Sequence, residues 1–423
     1  MAKTNLKELT ACVFDTSGQY TAIAERLGRK DGFEKVYYCT NWQHSFPKYN
    51  SYCVGIGVPN IERVDSIFDV MEICDIFVFP DLYFGSMQDW LRSQGKIVFG
   101  SGSGEDMEIY RDEFFEMQKE VGLPVGKYEV VKGMTKLRKY LVGKEKQWIK
   151  TNLLRGQGET FEFKNLKLSA SRLDEMEHGF GAYKEEAIFC VFESIEGIEL
   201  GHDTFIVDGK TMPKVMVGLE IKDSAYCGKI IDYEKTPKVL KNIDTKLEPY
   251  FKDKKYRGFF SSEVRWNGKV GYFSDATDRA PQPPSDLMLE IYDNFPEMVW
   301  EIANGNVPKV EASKKYGCQI IIKSSWATNE PCAIYFPEKY KNNVKIKSVM
   351  YKDGQPYFVP LQDFPMEEIG SIVATGSTLK EAIENARTIA KEVEGDCLKI
   401  NTDCLDEAAK EVEELKSYNI TLF

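Results

Sequence analysis

Short apolar runs alternate with amphipathic stretches at the start of the chain. Residues 11–15 predict a buried strand, and after a glycine-containing turn Ile23 and Leu27 fall on one face of a predicted helix. Further apolar runs alternate with helical patterns up to the Gly/Ser-rich segment GSGSG. Such alternation indicates a parallel sheet covered by helices. Residues 1–101 are therefore predicted to form a small Rossmann-like α/β domain.

The pattern then changes to longer strands in which apolar and polar positions alternate. Residues 204–210 and 263–273 contain Asp-Gly and Asn-Gly turns between such strands, which is typical of antiparallel hairpins. A proline cluster at residues 280–286 excludes a helix there. Residues 102–306 are therefore predicted to form a second, larger domain.

A third domain, of α+β type, is predicted over residues 307–423. Strand-like and hairpin-like segments come first in this part of the chain. A helix follows, and its start is marked by Thr378 and Glu381 at capping-box spacing. The acidic stretch 403–416 predicts a last amphipathic helix. The chain is thus expected to be a multidomain protein of α/β and α+β class.

Charge and residue types narrow the function. A net charge of -11, with no concentrated basic stripe, makes nucleic acid a poor partner. Three histidines, and ten cysteines without a CxxC pair, argue against zinc sites, a disulfide framework and a Ser-His-Asp hydrolase. The chain shows neither an apolar run long enough to cross a membrane nor the apolar core of a signal peptide. We therefore expect a cytoplasmic protein without a membrane partner.

The strongest chemical signal lies in the hairpin that contains Glu263 and Asp275. Thr277 and Arg279 follow Asp275 at alternate positions, and residues two apart on a strand share a face. Glu263 is expected to face them from the neighbouring strand. Oxygen ligands beside a guanidinium suit Mg²⁺ and the phosphates of ATP. The alternative is an ordinary hairpin with a solvated, charged face.

This hairpin resembles the metal-binding strand pair of the ATP-grasp superfamily. In that family an acidic residue precedes a hairpin, and an acid-x-Asn-x-Arg pattern follows it. Here Asp275 stands for the usual Glu, and Thr277 stands for the usual Asn. The resemblance implies Glu263, Asp275 and Thr277 as metal ligands and Arg279 as a catalytic residue.

Two further segments resemble the parts of ATP-grasp enzymes that hold phosphates. The segment WIKTN is similar to the strand that carries a phosphate-binding lysine, which implies that Lys150 binds ATP and takes part in catalysis. The segment RGQGETF resembles the flexible glycine-rich turn that closes over the phosphates. It implies that Arg155, Gly156 and Gly158 contact ATP, with Gln157 in place of the family's lysine.

The segment IFCVFESIEGIELG resembles the strand and hinge that hold adenine. The resemblance implies that Glu193, Ser194 and Ile195 present backbone groups to the base and that Glu199 binds the ribose hydroxyls. An apolar core strand that leads into a surface turn is the alternative for this segment.

Two more residues complete the implied ATP site. Arg111 lies where many ATP-grasp enzymes carry a phosphate-contacting lysine, and Lys222 lies on a strand that faces the nucleotide in relatives. The resemblance also implies that a region at about residues 128–195 is a mobile lid over the nucleotide.

Within the superfamily, the layout resembles the phosphoribosylamine-glycine ligases nearly from end to end, although their glycine-rich loop for the amine substrate is reduced here to DTSGQY. The resemblance implies that ATP and Mg²⁺ (or Mn²⁺) activate a carboxylate as an acyl phosphate, which an amine then attacks. The expected partners are a small carboxylate and a small amine, and the expected state is a monomer or a homodimer. Two alternatives stay open. One is an amino-acid or peptide ligase, with a modified nucleoside as one candidate acceptor, and the other is a catalytically degenerate nucleotide sensor.

Overall fold

The structure is a computed structural model of the 423-residue chain. It describes residues 4–41, 44–45, 49–153, 160–360, 366–415 and 420. The chain divides into two compact units. The large unit contains residues 1–104, 201–261 and 277–423, and the small unit contains residues 105–200 and 262–276. The predicted division into three domains at residues 101 and 306 stays a prediction.

The strands, in chain order, are β1 (Thr10–Asp15), β2 (Lys35–Thr40), β3 (His44–Ser45), β4 (Tyr49–Cys53), β5 (Glu62–Arg63), β6 (Ile76–Val78), β7 (Ile97–Phe99), β8 (Tyr128–Lys132), β9 (Gln147–Thr151), β10 (Thr160–Phe163), β11 (Ile188–Glu193), β12 (Ile198–Val207), β13 (Lys210–Thr211), β14 (Lys214–Ile221), β15 (Ala225–Asp232), β16 (Arg257–Trp266), β17 (Gly271–Thr277), β18 (Tyr316–Ser324), β19 (Cys332–Tyr335), β20 (Val344–Ile346), β21 (Val349–Lys352), β22 (Gln355–Phe358), β23 (Glu368–Gly376), β24 (Glu394–Gly395) and β25 (Leu398–Ile400). The α-helices are α1 (Thr21–Leu27), α2 (Gly85–Ser93), α3 (Asp106–Ile109), α4 (Arg111–Glu120), α5 (Met134–Tyr140), α6 (Ala170–Phe180), α7 (Lys238–Asp253), α8 (Ser285–Ile291), α9 (Phe295–Ala303), α10 (Leu379–Ala390) and α11 (Cys404–Leu415).

The large unit begins with the predicted parallel sheet. Its strand order is β5-β2-β1-β6-β7, and β1 pairs in parallel with both β2 and β6. Five of the six residues of β1 are buried, as expected for a strand covered on both faces. Ile23 and Leu27 of α1 are also buried, so the apolar face that the sequence predicts packs into the core. The prediction of an α/β fold is confirmed here.

An antiparallel sheet follows in the large unit, in the order β12-β14-β15-β18-β23-β20. The Asp-Gly hairpin is present, because β12 pairs with β13 around Asp208 (φ 49°) and Gly209 (φ 94°). Both residues have the positive φ that this two-residue turn requires. Phe99, Phe205 and Phe259 pack against one another, with ring centroids 4.9–6.2 Å apart, and they lie in the main hydrophobic core of the large unit.

The helix α10 starts where the sequence predicts. The Thr378 hydroxyl accepts a hydrogen bond from Glu381 N (3.1 Å), and the Glu381 carboxylate accepts one from Ser377 N (2.8 Å). In a capping box the Glu side chain binds the N–H of the N-cap residue. Here the Glu381 carboxylate binds the N–H of Ser377, the residue before the N-cap, so it still gives a partner to a backbone N–H at the start of the helix. The acidic C-terminal stretch forms α11, as predicted from its amphipathic pattern.

The small unit has its own sheet and core. The antiparallel order is β10-β9-β11-β8, and α5 and α6 contribute Met134, Leu137, Leu173 and Met176 to a buried cluster with this sheet. The ring of Phe114 on α4 packs edge-on against Phe273 on β17, at a centroid distance of 5.0 Å. This contact holds the start of α4 beside β17, where the candidate metal ligand Asp275 lies.

Within the part of the chain that the structure describes, every helix is too short or too polar to cross a membrane.

Candidate nucleotide and metal site

Three charged side chains meet in the small unit, each from a different element. Arg111 is the first residue of α4, Lys150 lies in β9 and Asp275 lies in β17. Arg111 Nη1 is 2.5 Å from Asp275 Oδ1, and Lys150 Nζ is 2.7 Å from Asp275 Oδ2. Lys150 Nζ also donates to the Ser274 carbonyl at 2.8 Å. Each oxygen of one carboxylate is thus held by a different cation.

Burial makes this cluster electrostatically strong. Arg111 is 2% exposed and Lys150 is 9% exposed, while the Asp275 side chain keeps 20% of its surface. Charges are screened weakly where water is excluded, so each ion pair counts for more than it does on the surface. Both cations contact the Asp275 carboxylate, so they are available as partners for anionic oxygens. The cluster therefore suits a polyanion such as a nucleotide phosphate.

The position of Arg111 is fixed by Asn152, which follows β9. Arg111 N donates to Asn152 Oδ1 at 3.1 Å, and the Asn152 amide donates to the Asp112 carboxylate. Leu153 N adds a backbone bond to the Ile109 carbonyl at 3.0 Å. Sequence reasoning assigned no role to Asn152 or Asp112. The spacing could have indicated Asn152, because it comes two residues after Lys150 on an extended segment and such residues share a face.

Glu263 lies on β16, the strand that precedes the Asn-Gly turn. The Ser274 hydroxyl donates to the Glu263 carbonyl at 3.1 Å, and the Ser274 carbonyl is the group that accepts from Lys150. Glu263 is half-buried, as is Asp275. The structure therefore brings the two strands that carry the candidate carboxylates together, next to Lys150.

Cys190 lies opposite Lys150 in the register of β11 and β9. Burial, with a smaller contribution from Asp112, raises the pKa of the Cys190 thiol to about 12. The nucleophilic form of cysteine is the thiolate, so this thiol is inert at neutral pH. The cluster therefore contains cations and carboxylates but no activated cysteine.

The candidate adenine hinge follows β11. Glu193 N donates to the Lys127 carbonyl at 3.1 Å, and this hydrogen bond extends the pairing of β11 with β8 by one residue. The Glu193 side chain pairs with exposed Lys127 at 2.5 Å, and the Ser194 hydroxyl donates to the Lys146 carbonyl at 3.2 Å. Polar contacts thus anchor the first two residues of the peptide, Glu193 and Ser194, that the sequence assigns to adenine.

The hinge backbone is packed closely at two glycines. A Cβ on Gly126 would lie 2.6 Å from the Ile195 Cδ1 atom, and one on Gly197 would lie 2.5 Å from the Trp266 carbonyl oxygen. Gly197 also has φ +138°, which L side chains rarely adopt. Glu199, the candidate ribose ligand, pairs with Arg265 at 2.5 Å. Sequence reasoning did not foresee that pair, because the two residues lie on different strands.

Three candidate residues lie in the large unit. Thr277 is the half-buried last residue of β17, and Arg279 Nη1 lies 3.8 Å from Asp81 Oδ1. Lys222 is exposed in the turn between β14 and β15. Their roles at the nucleotide stay predictions. Asp278, between Thr277 and Arg279, is 2% exposed and accepts from the Tyr256 hydroxyl at 3.1 Å, a buried contact that sequence reasoning missed.

The candidate phosphate turn, with Arg155, Gly156 and Gly158, lies outside the described residues, as does Gln157. Within the described ranges, clusters of three or more His, Cys, Asp or Glu side chains that could enclose a metal ion do not occur. A set of one or two carboxylates nevertheless fits Mg²⁺, which completes its coordination with waters and substrate phosphates. Glu263 and Asp275 stay the predicted metal ligands.

Comparison with known proteins identifies the class of the fold. Neither a protein-family model nor a curated protein sequence matches this chain. Solved structures do match it, and ATP-grasp ligases are among them, so the chain has the ATP-grasp fold. The fold class predicted from the sequence is confirmed.

Among these structures is phosphoribosylamine-glycine ligase from Thermotoga maritima. It matches with a TM-score of 0.72 and 16% identity, over 93% of this chain and 100% of the other. Biotin carboxylase from Campylobacter jejuni matches with a TM-score of 0.65 and 13% identity, over 95% of each chain. L-amino acid ligase from Bacillus licheniformis matches with a TM-score of 0.57 and 13% identity, over 91% of this chain and 98% of the other. At these identities the likeness shows the fold.

Proposed function

We propose that this protein is an ATP-dependent carboxylate-amine ligase that works through an acyl phosphate. The observation that carries the proposal is the contact of Arg111 and Lys150 with the two oxygens of Asp275 on an ATP-grasp fold. The solved structures with this fold include a phosphoribosylamine-glycine ligase, an L-amino acid ligase and a biotin carboxylase, so the fold serves several substrates.

The chemistry explains why ATP is needed. A carboxylate does not condense with an amine in water, because it would have to expel an oxide-like oxygen. Transfer of the γ-phosphoryl group to the carboxylate forms a P–O bond and releases ADP. The amine then attacks the acyl carbon, the C–O bond to phosphate breaks, and amide, phosphate and a proton result. Such a phosphoryl transfer depends mainly on positioning and charge neutralisation by the protein.

The residues of the small unit have separate roles in this reaction. Lys150 and Arg111 bind phosphate oxygens, Glu193 to Ile195 hold the adenine through backbone groups, and Glu199 binds the ribose. Glu263 and Asp275 would hold Mg²⁺, with Thr277 as a weaker candidate. The metal supplies charge that neutralises the β- and γ-phosphates. Arg279 is the remaining candidate for a catalytic residue, and Lys222 is the remaining candidate for contact with ATP.

The cluster also indicates how Asp275 becomes available. Its two oxygens accept hydrogen bonds from Arg111 and Lys150. Phosphate oxygens are alternative partners for Arg111 and Lys150, so nucleotide binding releases the Asp275 carboxylate for a metal. We therefore expect metal and nucleotide to bind together. A titration with Mn²⁺ followed by electron paramagnetic resonance tests this, since Mn²⁺ affinity should rise at least ~10-fold when ATP is present.

An oxygen-18 experiment tests the ligase chemistry. The full chain is incubated with ATP, Mg²⁺, an amine panel and amino acids labelled with ¹⁸O in the carboxylate. An acyl phosphate delivers one labelled oxygen to inorganic phosphate, whereas an acyl adenylate delivers it to AMP. Label in phosphate together with ADP release supports the proposal, and label in AMP contradicts it.

The degenerate nucleotide sensor is the second candidate, because Thr277 stands where ATP-grasp enzymes usually carry Asn. Calorimetry with ATP and Mg²⁺ separates the two functions. Binding without ADP release on any pair of the panel would favour the sensor. Asp275→Asn, with the exposed Asp253→Asn as a matched control, connects either outcome to the cluster.

A further inference from the structure

A cavity of about 680 Å³ lies in the large unit, away from the residues assigned to the nucleotide. The described residues that line it include no candidate residue of the nucleotide and metal site. Its lining comes from α1, from the loop at residues 57–60, from β20 to β22, and from β19 with the chain around β24. Pockets that bind small molecules usually have volumes of ~300–1,000 Å³. The cavity is therefore large enough for a small organic ligand.

The loop that forms one side of the cavity is fixed to β21. Gly55 N donates to the Val349 carbonyl at 2.8 Å. Tyr351 N donates to the Ile56 carbonyl at the same distance of 2.8 Å. A Cβ on Gly57 would lie 2.4 Å from the Tyr351 carbonyl oxygen, so the loop lies close against the strand. A ligand therefore meets a cavity whose side is already formed, which lowers the entropic cost of binding.

Apolar and aromatic side chains line much of the cavity. The Tyr351 side chain is half-buried, and Tyr335 is 53% exposed. Five buried aliphatic residues also contribute, namely Val58, Ile334, Val344, Ile346 and Val349. Methylene groups placed against this surface would be removed from water, which contributes about 0.8 kcal/mol for each fully buried group. The lining thus favours a ligand with an aliphatic portion.

The charged residues of the lining are mostly acidic. Four glutamates stand against two lysines, an excess of two negative charges, and the six residues are Glu25, Glu338, Glu392, Glu394, Lys341 and Lys345. The lysines already have carboxylate partners, because Lys345 Nζ is 2.5 Å from Glu290 and Lys341 Nζ is 2.6 Å from Glu338. Glu25 in turn is paired with Arg29 at 2.8 Å. Among the described residues, Glu392 and Glu394 have no cationic partner, so they can accept a cation from a ligand.

One of these two carboxylates lies beside an aromatic ring. The strands β19 and β24 are antiparallel, and Glu394 is directly opposite Tyr335 in their register. Residues directly opposite each other on such strands share a face. An ammonium group bound at Glu394 would therefore lie next to the Tyr335 ring, where a cation–π contact adds to the ion pair.

The Tyr351 phenol reports the negative potential inside the cavity. Burial, followed by the charges of Glu25 and Glu338, raises the pKa of Tyr351 to about 12. Glu25 on α1 and Glu338 after β19 therefore both act on one hydroxyl group of the lining. A cation in this space is stabilised by the same charges, and an anion is repelled.

We propose that this cavity binds an aliphatic diamine or polyamine. Its ammonium groups pair with Glu392 and Glu394, and its methylene chain packs against the aliphatic residues and Tyr335. The inference goes beyond the ligase function and does not rest on it, because it uses none of the residues assigned to ATP or metal.

The test is calorimetry on the full chain with three ligands of the same chain length and different charge. Cadaverine is the dication, terminal pentanediol is the neutral analogue, and glutarate is the dianion. At an ionic strength of ~50 mM, we expect one saturable site for cadaverine with a Kd below ~1 mM, and at least ~10-fold weaker binding of the other two. A cadaverine Kd above ~1 mM, or equal binding of pentanediol or glutarate, would overturn the proposal.

A pair of double variants separates the cavity from the overall negative charge of the chain. Glu392→Gln with Glu394→Gln should raise the Kd of cadaverine by at least ~10-fold, the loss for hydrogen bonds to charged groups. Asp69→Asn with Asp253→Asn removes the same charge at exposed positions outside the lining and should change the Kd by less than ~3-fold. Similar losses in the two proteins would show a general charge effect and contradict the site.

A variant that fills the cavity supplies an independent test. Ala22 is half-buried in the lining, and Ala22→Phe occupies part of the volume without changing any charge. We expect cadaverine to bind at least ~10-fold more weakly, since the methylene chain loses its contact surface. A folded Ala22→Phe protein with wild-type affinity, verified by circular dichroism, would place the diamine outside the cavity. If this variant does not fold, the exposed glutamate variants decide.

Discussion

Two aspartates, one in each unit, are hydrogen-bonded in opposite ways. Asp275 in the small unit is held by two charged groups, Arg111 and Lys150. Asp15 in the large unit is held by two backbone N–H groups and the Tyr38 hydroxyl, all of them neutral. The first side chain keeps 20% of its surface, and the second is fully buried.

The difference shows which carboxylate can change partners. An ion pair exchanges one charged partner for another at modest cost, so a phosphate can take the cations and a metal can take Asp275. Neutral donors fixed by the backbone cannot leave without breaking the loop. We therefore interpret Asp275 as part of the proposed chemical machinery and Asp15 as part of the scaffold of the large unit.

The largest effect is expected at Asp275. Asp275→Asn keeps an acceptor for Arg111 but removes the negative charge that a metal needs. ADP release should fall by ~10² to 10³. The measurement is a coupled ADP assay on any active substrate pair, with circular dichroism to verify the fold. Asp253→Asn, on the exposed end of α7, should keep wild-type turnover. Equal turnover in both variants would remove Asp275 from the site.

The next effect is expected at Lys150. Lys150→Met keeps the length of the side chain but loses its charge and its bond to Asp275. Affinity for ATP with Mg²⁺ should fall by ~10- to 100-fold, the range for a hydrogen bond to a charged group. Calorimetry measures it.

Lys127→Met is the matched control for Lys150→Met. Lys127 is exposed, and its side chain pairs with the Glu193 carboxylate at 2.5 Å. A surface ion pair contributes little, so nucleotide affinity should change by less than ~3-fold. Similar losses in the two lysine variants would indicate a general charge effect rather than a phosphate contact.

The effect of Asp15 should appear in the pH dependence of stability rather than in turnover. Its pKa is raised from 3.8 to about 7 by burial and by Asp81, so the folded chain binds this proton more tightly than the unfolded chain does. The stability that this group contributes is then full below pH 3.8 and is lost as pH rises towards about 7. Asp15→Asn lacks this titration.

The measurement is the free energy of unfolding of both proteins in urea at several pH values. The difference, wild type minus Asp15→Asn, should shrink as pH rises from about 4 to about 7. Because Asn offers one acceptor oxygen where Asp15 offers two, a constant offset is also expected. A difference that is independent of pH would show that Asp15 has an ordinary pKa.

The smallest effect concerns the hinge of the small unit. Gly197→Ala forces a Cβ to within 2.5 Å of the Trp266 carbonyl, at φ +138°. The small unit should lose ~1–3 kcal/mol of stability. Gly179→Ala, in α6 where a Cβ has open space, is the control and should gain ~0.5–1 kcal/mol. Thermal unfolding of the two variants gives the comparison.

Much of the fold could be predicted from local patterns. The strand-turn-helix unit at β1 and α1, the Asp-Gly hairpin of β12 and β13, and the capped start of α10 all follow from short-range periodicity and turn chemistry. The order of motifs along the chain also led to the ATP-grasp fold. Contacts across large sequence separations were missed. Asn152, which fixes Arg111 from 41 residues away, and the pair of Glu199 with Arg265 are examples.

The sequence by itself determined the element types, the fold class and the identity of the candidate cations and carboxylates, because each depends on residues close together in the chain. Only the tertiary structure decided their partners. Whether Asp275 faces two cations, and whether the amides after Asp15 face a ligand or the protein, depends on how strands and loops distant in sequence pack. Local periodicity carries no information about that packing, since it fixes which face is buried but not what lies against it.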